Sequence, residues 1–471
     1  MKIKLSRILV EKIVSIFFIG CFIFSKEYDL ESLIKIGLEN NSSIKIAKED
    51  KKKALANSIE ARSAALPRVH FFTSGTKNYE IAGQPMDFPI PFGVLNAETG
   101  QPVPTQWNPG LQQTEIIPYE TIFSVGRDYS AAYGLNINQT LFDGRVFTAI
   151  RASNVYNKLT EESYNVQVTR AIESIKISYY SVLLTKKITQ VFKKSLDRSK
   201  SNFNNTKLLF DSGKVNELEL IRAESLVKDQ ESFLKNAEKN EVLAIENLCI
   251  TVGFSNSNSL KILGDFFNID LNIPSFESIE LDLIKNQPQF KQLDANYYLF
   301  KENINLFYAE FLPSIGFSGS LHRVQSNNKK NFIFNNFQNN SSVSINISLP
   351  IFDGFSSLAR VNKAKADARK AKYQAEDIKK KLILELKSIY LDLNESKEKI
   401  NASKKKIELA EKGYKIANDL FQNGMTTQLE LLSAEISLNQ AELNLIQSKF
   451  EYQIAMARLS RAIGENILGI N

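Results

Sequence analysis

Side chains that could do chemistry are few in this sequence. It has two histidines, His70 and His322, and two cysteines, Cys21 and Cys249. Both histidines fall in stretches where apolar and polar residues alternate, and the sequence has no nucleophile elbow, phosphate-binding loop or metal-ligand spacing. We therefore expect a protein that is not an enzyme and that has no cofactor or metal site.

Charge is spread along the chain rather than gathered into a patch. The net charge is +7, and Lys and Glu are interleaved along most stretches with helical spacing. Such interleaving is typical of solvated helix faces, whereas a nucleic-acid site would need a basic stripe. With 43% hydrophobic residues the chain can bury a large core. We expect no nucleic-acid partner.

The N-terminus has the pattern of an export signal. Basic residues precede an apolar run over residues 13–24 and polar sequence resumes at Ser25, which predicts a signal peptide over residues 1–25. The run is shorter than a transmembrane helix needs. Cys21 leaves two outcomes open, since it is either lipidated as the mature N-terminus or removed with the signal peptide. In the second case Cys249 is the only cysteine and no intramolecular disulfide can form.

Three short motifs occur twice, in the same order. They are Leu66-Pro67 and Leu312-Pro313, Leu141-Phe142-Asp143-Gly144 and Ile351-Phe352-Asp353-Gly354, and Phe210-Asp211-Ser212-Gly213 and Phe421-Gln422-Asn423-Gly424. The repetition predicts a tandem structural repeat, with a first copy over 26–253, a linker over 254–275, a second copy over 276–464 and a tail over 465–471. The offset falls from 246 to 210 residues between the first two motifs, so the first copy has about 36 additional residues there.

Both repeats are predicted to have the same order of elements. The first has a helix over 28–65, strands over 67–77 and 128–142 around a loop over 83–118, a long helix over 145–209, a tip over 210–215 and a return helix over 216–252. The second has a helix over 276–311, strands over 313–324 and 342–352 around a loop over 325–340, a long helix over 356–420, a tip over 421–426 and a return helix over 427–463. Apolar residues at helical spacing predict the helices, and each Leu-Pro ends a helix because proline cannot continue it. The first loop holds seven of the twelve prolines and the only tryptophan, Trp107, so we expect no regular structure there.

The predicted strands alternate between apolar and polar residues. This pattern is typical of a membrane β-barrel with a wet interior, and no other apolar run is long enough for a helical span. A soluble hairpin is the alternative. Four strands from one chain cannot enclose water, because about eight strands already give an interior that side chains fill. A barrel shared among chains is therefore expected, and three chains would supply twelve strands.

The two long helices contain no proline, and at about 1.5 Å per residue each would be about 95 Å long. The return helices are shorter, so the N-terminal helix of each repeat could stack end to end with its return helix. Apolar stripes on the helices predict partner helices. The stripes are Ile172, Ile175, Tyr179 and Val182; Leu382, Leu386, Ile389 and Leu393; and Leu429, Leu432, Ile436 and Leu443. We expect an antiparallel helical shaft, whereas a simple coiled-coil rod would lack the strand pairs.

The doubled motifs, together with the paired Phe-x-x-Gly turns that precede Leu-x-Leu-x-x-Ala-Glu, resemble the TolC-type outer-membrane efflux channels over nearly the whole mature chain. The resemblance implies an α+β membrane protein, a homotrimer in which each chain contributes four strands to a shared twelve-stranded outer-membrane β-barrel. The 83–118 loop would be extracellular. The long antiparallel helices would form a periplasmic α-barrel, with an equatorial region at the chain ends and the 254–275 linker.

The same resemblance implies a location in the outer membrane, spanning into the periplasm, and a passive exit duct for drugs or proteins in a tripartite efflux or type I secretion system. Partners would be outer-membrane lipid, a periplasmic adaptor (membrane fusion protein) and an inner-membrane transporter of the RND or ABC type. The alternatives are a structural or adaptor coiled-coil protein of the periplasm and a simple porin. An adaptor should have one hairpin rather than two repeats, and a porin needs more strands per chain.

The family's periplasmic aperture can be placed through the second turn. Glu430, six residues past Gly424, stands where the family's gate has an aspartate, and Glu219 is its equivalent in the first repeat. Three Glu430 carboxylates would form a ring that concentrates cations. Ser433 stands where the family has a second aspartate, so one ring is missing. The alternative is that both glutamates are ordinary solvated helix residues.

The expected gate also departs from the family. Phe421 stands at the position of the family's tyrosine and Thr426 at that of its arginine, so the usual hydrogen bond and ion pair are not expected. We expect packing of Phe210 and Phe421 to hold the closed state instead.

Two further pairs of motifs have expected roles. The turns Ser212-Gly213-Lys214 and Asn423-Gly424-Met425 match the family's adaptor-docking tips, and glycine also suits a helix end. The motifs Phe142-Asp143-Gly144 and Phe352-Asp353-Gly354 are expected at strand-to-helix junctions, where glycine permits a bend and aspartate caps the long helix.

Overall fold

The computed structural model describes residues 27–81, 83–88, 98, 106–108, 113–115, 119–124, 126–254, 261–265, 271–330, 332–333 and 336–464. Contacts divide these residues into a helical unit, within 1–58, 152–303 and 363–471, and a sheet unit, within 59–151 and 304–362.

The helices, in chain order, are α1 (Leu30–Asn40), α2 (Ser42–Ser63), α3 (Gly144–Asp211), α4 (Glu217–Val252), α5 (Phe276–Asn286), α6 (Pro288–Tyr308, followed by a 3-10 turn over Ala309–Phe311), α7 (Ser356–Gln422) and α8 (Gln428–Ile463). The strands are β1 (Glu27–Tyr28), β2 (Arg68–Lys77), β3 (Gly83–Phe88), β4 (Gln106–Asn108), β5 (Gln113–Glu115), β6 (Tyr119–Ser124), β7 (Tyr129–Asp143), β8 (Lys261–Ile262), β9 (Ser314–Asn327) and β10 (Gln338–Ser348). None of the described helices has an apolar stretch of the length that a membrane crossing requires.

The helix predicted over residues 28–65 is interrupted, and so is the one predicted over 276–311. The first breaks at Asn41, whose side chain caps α2 by accepting two of its first backbone N–H groups. The second breaks at Gln287, directly before Pro288, which has no backbone N–H to donate. Both predictions of a continuous helix were wrong, because the apolar spacing continues through the break while the backbone bonds do not.

Each break lies against the end of a return helix. Asn41 Nδ2 donates to the carbonyl of Thr251 at 2.7 Å, in the last turn of α4. Gln287 Nε2 donates to the carbonyls of Arg461 and Ala462 at 3.1 and 2.8 Å, in the last turn of α8. These amides satisfy carbonyls that a helix end leaves without an intrahelical partner. As a result α2 starts where α4 ends, and α6 starts where α8 ends.

Each repeat has its own apolar core beside these helix ends. In the first repeat α1, α3 and α4 contribute Leu33, Ile175, Tyr179, Val182, Leu183, Leu248 and Val252. In the second repeat α5 to α8 contribute residues that include Ile279, Leu283, Phe290, Leu382, Leu386, Ile389, Leu393 and Leu459. Burying one such side chain contributes about 1.5–3 kcal/mol. The predicted stripe from Leu382 to Leu393 belongs to the second core, and Ile175, Tyr179 and Val182 of the predicted α3 stripe belong to the first.

The sheet unit contains one four-stranded antiparallel sheet with the strand order β10-β9-β7-β2. β7 of the first repeat pairs with β9 of the second, so each repeat contributes two neighbouring strands. β2 and β10 are the edges, and neither has a second neighbour within the described chain.

The register places apolar side chains on one face of this sheet. The apolar members of that face are Val69, Phe71, Leu135, Ile137, Phe317, Leu321, Val343, Ile345 and Ile347, and the face also carries the polar residues Thr73, Gln139, Arg323, Asn339 and Ser341. The opposite face is mostly polar and includes His70, Asn136, Asn138, Ser318, Ser320, His322, Ser342, Ser344 and Asn346. Two serine pairs on it are hydrogen-bonded, at 2.7 and 2.8 Å. The apolar face is open in the single chain, since Phe71 is 68% and Ile345 is 63% exposed.

Both predicted loops contain strand. Within 83–118, β4 pairs with β5, and β3 pairs with β6, which begins directly after the segment. The prediction that this segment has no regular structure was wrong, because short stretches between the prolines can still pair and Pro85 itself lies within β3. Residues 89–97 and 99–105 lie outside the described residues. In the second repeat β9 and β10 extend into the loop predicted over 325–340, because backbone pairing does not require apolar side chains.

The strand predicted over 342–352 ends early. Its last pair joins Ser348 to Ser314, the first residue of β9. Pro350 follows, and proline cannot donate to a strand ladder. Residues 349–352 are therefore a connection and not strand.

Candidate entrance constriction and strand-to-helix junctions

Two turns join the long helices to the return helices. Gly213 follows α3 with φ +70°, and Gly424 follows α7 with φ +72°. In each turn the glycine N–H donates to the carbonyl of a phenylalanine, Phe210 at 2.8 Å and Phe421 at 2.9 Å. A left-handed residue that closes the last helical turn is a common helix end, and the two tips share this backbone.

Polar side chains of the tips bond back to the long helices. Ser212 Oγ donates to a carbonyl in the last turn of α3 at 2.9 Å, and Asn423 Nδ2 donates to one in the last turn of α7 at 2.7 Å. The next residues point outward, since Lys214 is exposed and Met425 is 72% exposed. The chain thus presents an ammonium group at one tip and an apolar thioether at the other.

Glu219 and Glu430 occupy equivalent positions, three residues after the N-cap of a return helix. Asn216 Oδ1 accepts the N–H of Glu219 at 3.1 Å, and Thr427 Oγ1 accepts the N–H of Glu430 at 3.3 Å. An acid in the first turn is favourable beside the positive end of the helix dipole. A role in helix capping alone would therefore account for both residues.

The two glutamates differ in their surroundings. Arg222 Nη1 lies 3.2 Å from Glu219 Oε1, and the Glu219 side chain is only 17% exposed. Ser433 occupies the position of Arg222 in the second repeat, so Glu430 has no cation at that spacing, and Glu430 is exposed. The arginine partner of Glu219 is therefore not repeated at Glu430.

The two phenylalanines expected to hold the gate have different environments. Phe421 is buried, with 3% exposure, whereas Phe210 is 36% exposed. Thr426 is half-buried. In the single chain Phe421 thus belongs to the interior and Phe210 to the surface.

A set of buried polar residues between α3 and α8, here called the α3–α8 seam, was not predicted from the sequence. Its fully buried members are Ser195, Ser199, Asn202 and Thr206 of α3 and Gln428 and Glu435 of α8. The stripe predicted for α8 lies partly on the surface instead, since Leu429 is 60% and Ile436 is 57% exposed. The signal that could have found the seam is the spacing of the α3 residues by four, three and four positions, which places them on one helix face.

Glu435 is the centre of the α3–α8 seam. It accepts hydrogen bonds from Ser195 Oγ, Ser199 Oγ and Asn202 Nδ2 at 3.3, 3.4 and 3.4 Å. Arg198 Nε lies 3.7 Å from its Oε1. Burial raises the pKa of the Glu435 carboxyl, although Arg198 and the serine hydroxyls act in the opposite direction. The cost of removing this carboxylate from water therefore outweighs the effect of its partners.

Further hydrogen bonds extend the seam in both directions. Asn439 Nδ2 donates to Ser195 Oγ at 2.8 Å, and Thr206 Oγ1 donates to Gln428 Oε1 at 3.4 Å. Residue numbers rise along α3 as they fall along α8, so the two helices are antiparallel. Among the residues that the structure describes, no group of three or more acidic, histidine or cysteine side chains could hold a metal ion.

Aspartate caps the long helix in both Phe-Asp-Gly motifs. Asp143 Oδ1 accepts the N–H of Arg145 at 2.8 Å in the first turn of α3. Asp353 Oδ2 accepts the N–H of Ser357 at 2.7 Å in the first turn of α7. The hydrogen bond from Ser357 Oγ is the largest influence that lowers the pKa of Asp353.

The glycines of the two motifs serve different purposes. Gly144 is the first residue of α3, and a Cβ there would lie 2.8 Å from Leu312 Cδ1. Gly354 has φ +68° with open space around it, and Phe355 follows with φ +66°. Glycine therefore permits a bend in the second repeat, whereas in the first it allows close packing.

Comparison with known proteins places the chain among channels. A family model described as outer membrane efflux protein matches residues 33–253 and 282–465. The alkaline protease secretion protein AprF of Pseudomonas aeruginosa is 23% identical over 343 residues, which cover 72% of this chain and 70% of AprF.

Two solved structures are similar over almost the whole length. The outer-membrane channel OprN has a TM-score of 0.71 at 18% identity, covering 92% of this chain and 89% of its own. The outer membrane protein VceC of Vibrio cholerae has a TM-score of 0.70 at 16% identity, covering 92% and 96%. At these identities the likeness establishes the fold, and the family match spans both repeats. The chain belongs to the outer membrane efflux protein family.

Proposed function

We propose that three copies of this chain form one passive duct that leads from the periplasm to the cell surface. As a member of its family the protein is an outer-membrane channel for efflux or secretion. The proposal concerns its assembly, in which a homotrimer shares one twelve-stranded β-barrel and the long helices of the three chains form a periplasmic α-barrel.

The observation that carries this proposal is a two-faced sheet with two open edges. Its exposed apolar face suits lipid, and its polar face suits a water-filled interior. Within a bilayer every backbone group must be paired, which excludes open edges. Pairing β10 of one chain with β2 of the next satisfies both edges, and three chains with four strands each close the ring.

The family and the relatives support two classes of cargo. The name of AprF, an alkaline protease secretion protein, favours an exported protein. The family description favours efflux, for which we propose drugs as the cargo. In either case energy would come from an inner-membrane transporter of the ABC or RND type. A periplasmic adaptor would connect it to the tips, where Lys214 and Met425 are exposed.

At the periplasmic entrance the three Glu430 carboxylates form an acidic ring. A difference between the repeats supports assigning the ring to Glu430 rather than to Glu219. Arg222 compensates the charge of Glu219, whereas Glu430 has Ser433 at the same spacing. A ring of carboxylates raises the local concentration of cations and admits them selectively.

The remaining segments have roles in export and in the equatorial region. Residues 1–25 direct the chain across the inner membrane, and Cys21 is either lipidated or removed with them. The linker over 254–275 belongs with the chain ends at the equator. Its strand β8 pairs in parallel with β1, near the start of the mature chain, which supports this placement.

Fractionation and deletion test the proposal. The expected product is an outer-membrane trimer that requires detergent for extraction and dissociates on heating, whereas a soluble monomer would contradict it. Loss of a secreted protein from the culture medium of a deletion strain would identify a protein cargo, and increased drug sensitivity would identify efflux.

A further inference from the structure

The seam lies on the opposite side of α8 from the proposed ring. Glu435 follows Glu430 by five residues, which turns the two side chains about 140° apart around the helix axis. The buried face of this part of α8 consists of Gln428, Leu431, Glu435 and Leu438. Glu430 and Ser433 lie on the exposed face. A contact that holds the buried face of α8 in place therefore also sets the direction in which Glu430 points.

The hydrogen bonds of Glu435 depend on the position of α8 along its axis as well as on its rotation. A purely apolar face tolerates sliding, because one leucine can replace another in the same contact. A shift of one turn, about 5.4 Å, would separate the Glu435 carboxylate from Ser195 and Ser199. A buried charge without partners is strongly unfavourable, and single buried polar residues fix the register of coiled coils in the same way.

Among the described residues, the equivalent helices α7 and α4 do not repeat the α3–α8 seam. Its residues Ser195, Ser199, Asn202 and Thr206 correspond in α7 to Lys406, Ala410, Gly413 and Ala417. Glu224, the equivalent of Glu435, is exposed on α4. The seam therefore constrains only the return helix that carries Glu430.

We propose that Glu435 is a positioning residue for the entrance. Through the α3–α8 seam it holds α8 in one rotation and one register, and so holds the three Glu430 carboxylates in the closed arrangement. Opening the entrance requires α8 to leave the seam. This inference rests on the proposed acidic ring at Glu430.

Single-channel recording on purified trimers in planar bilayers tests the effect on the entrance. Glu435→Leu removes the acceptor and keeps an apolar side chain, and it should raise the open fraction of the resting channel about tenfold, a shift of about 1.4 kcal/mol. Glu435→Gln retains a hydrogen-bond acceptor and should stay closed like the wild type. The matched control is Glu224→Leu, at the equivalent exposed position of α4, which should also stay closed.

Distances between spin labels test the register directly. Labels at Asp197 of α3 and Ser437 of α8, both exposed, are introduced in a Cys249→Ala background. The distance distribution should shift or broaden in Glu435→Leu and keep its wild-type form in Glu435→Gln. If the leucine variant does not fold, Ser195→Ala with Ser199→Ala removes two donors without changing the buried charge, and the same shift is expected.

The two measurements separate the inference from the proposal beneath it. The positioning role would be overturned if Glu435→Leu kept the label distances and the open fraction of the wild type. If Glu435→Leu does not fold, the same result in the Ser195→Ala, Ser199→Ala double variant would overturn it. If Glu430→Gln leaves cation block unchanged, the acidic ring is wrong, and with it the proposed consequence for the entrance. The label distances would then still decide whether Glu435 sets the register of α8.

Discussion

Arg222 lies 3.2 Å from Glu219 in the first repeat, whereas the residue at the same spacing from Glu430 in the second repeat is Ser433. The two return helices have equivalent caps and equivalent glutamates, so this substitution distinguishes the surroundings of the two glutamates. Of these two equivalent glutamates, only Glu219 has an arginine three residues further along its helix.

Ser433→Arg should give Glu430 the cation that Glu219 already has. We expect the affinity of a blocking multivalent cation to fall by about tenfold, because the ring loses up to three negative charges. Single-channel block at low salt measures this change. Glu430→Gln should have the same effect, whereas Glu219→Gln should leave block within about twofold; the reverse order would move the ring to the first repeat.

Ile345→Lys and Ser344→Lys place the same charge on opposite faces of β10. The Ile345 variant puts an ammonium group on the proposed lipid face, at a cost of about 2–4 kcal/mol near the middle of a bilayer. Ser344 bonds to Ser318 on the polar face, where lysine can reach water. We expect the Ile345 variant to lose outer-membrane trimer on gels and the Ser344 variant to keep it; equal loss in both would argue against the assignment of the faces.

Local patterns predicted most helix bounds, since apolar spacing and proline act on neighbouring residues. The long helix expected from residue 145 begins at Gly144, for example. The break at Asn41 could not be found in this way. Its side-chain partner, the carbonyl of Thr251, is 210 residues away in the sequence, and local apolar spacing continues on both sides of the break.

The candidate site was predicted less completely than the fold. Resemblance led to Glu219 and Glu430, but apolar periodicity does not reveal the α3–α8 seam, because its contacts between helices are made by polar side chains. Leu429 and Ile436 were predicted to face a partner helix, yet both are exposed, whereas Glu435 is buried. Which face of an amphipathic helix is buried depends on its partner, and here the partner is a polar stripe on a helix of the other repeat.

Asn41 has two separable roles, and two variants distinguish them. Asn41→Ala removes the cap of α2 and the bond to Thr251, and should reduce stability by about 1–2 kcal/mol. Asn41→Asp keeps the cap but cannot donate to the carbonyl of Thr251. The stability that this variant loses therefore measures the contribution of the hydrogen bond to α4. Thermal unfolding in detergent, followed by circular dichroism, gives both values. Asn40→Ala is the control, since its side chain makes only a 3.5 Å bond to Lys45, and a loss as large as that of Asn41→Ala would contradict these roles.

Gly424→Asn tests adaptor docking with little strain. Asparagine tolerates a left-handed conformation better than other side chains, and no atom lies within 4 Å of the Cβ position. We expect a normal trimer that has lost export, because the added side chain lies where the adaptor would bind. Gly413→Ala, inside α7 and with no atom within 4 Å of its Cβ position, is the matched control and should keep export; wild-type export by Gly424→Asn would exclude tight docking at this tip.

Glu435→Gln should change the pH dependence of stability in a defined direction. Burial raises the folded-state pKa of Glu435, so its favourable contribution is complete below the unfolded pKa and is lost as pH rises through the folded pKa. The charged and titratable groups that face it are Arg198 of α3 and Tyr414 of α7, with Glu442 of α8 bound to the same arginine. Glutamine cannot ionise, so the Glu435→Gln variant does not lose stability at this position as the pH rises.

The midpoint of thermal unfolding of Glu435→Gln should therefore be equal to or above that of the wild type at pH 7.5, and the difference should shrink as the pH is lowered toward 4. Glu224→Gln, at the exposed equivalent position, should follow the wild type at every pH. A Glu435→Gln variant that is less stable at pH 7.5 and recovers in acid would show that the pair with Arg198 outweighs desolvation. The folded-state pKa of Glu435 would then lie below its unfolded value.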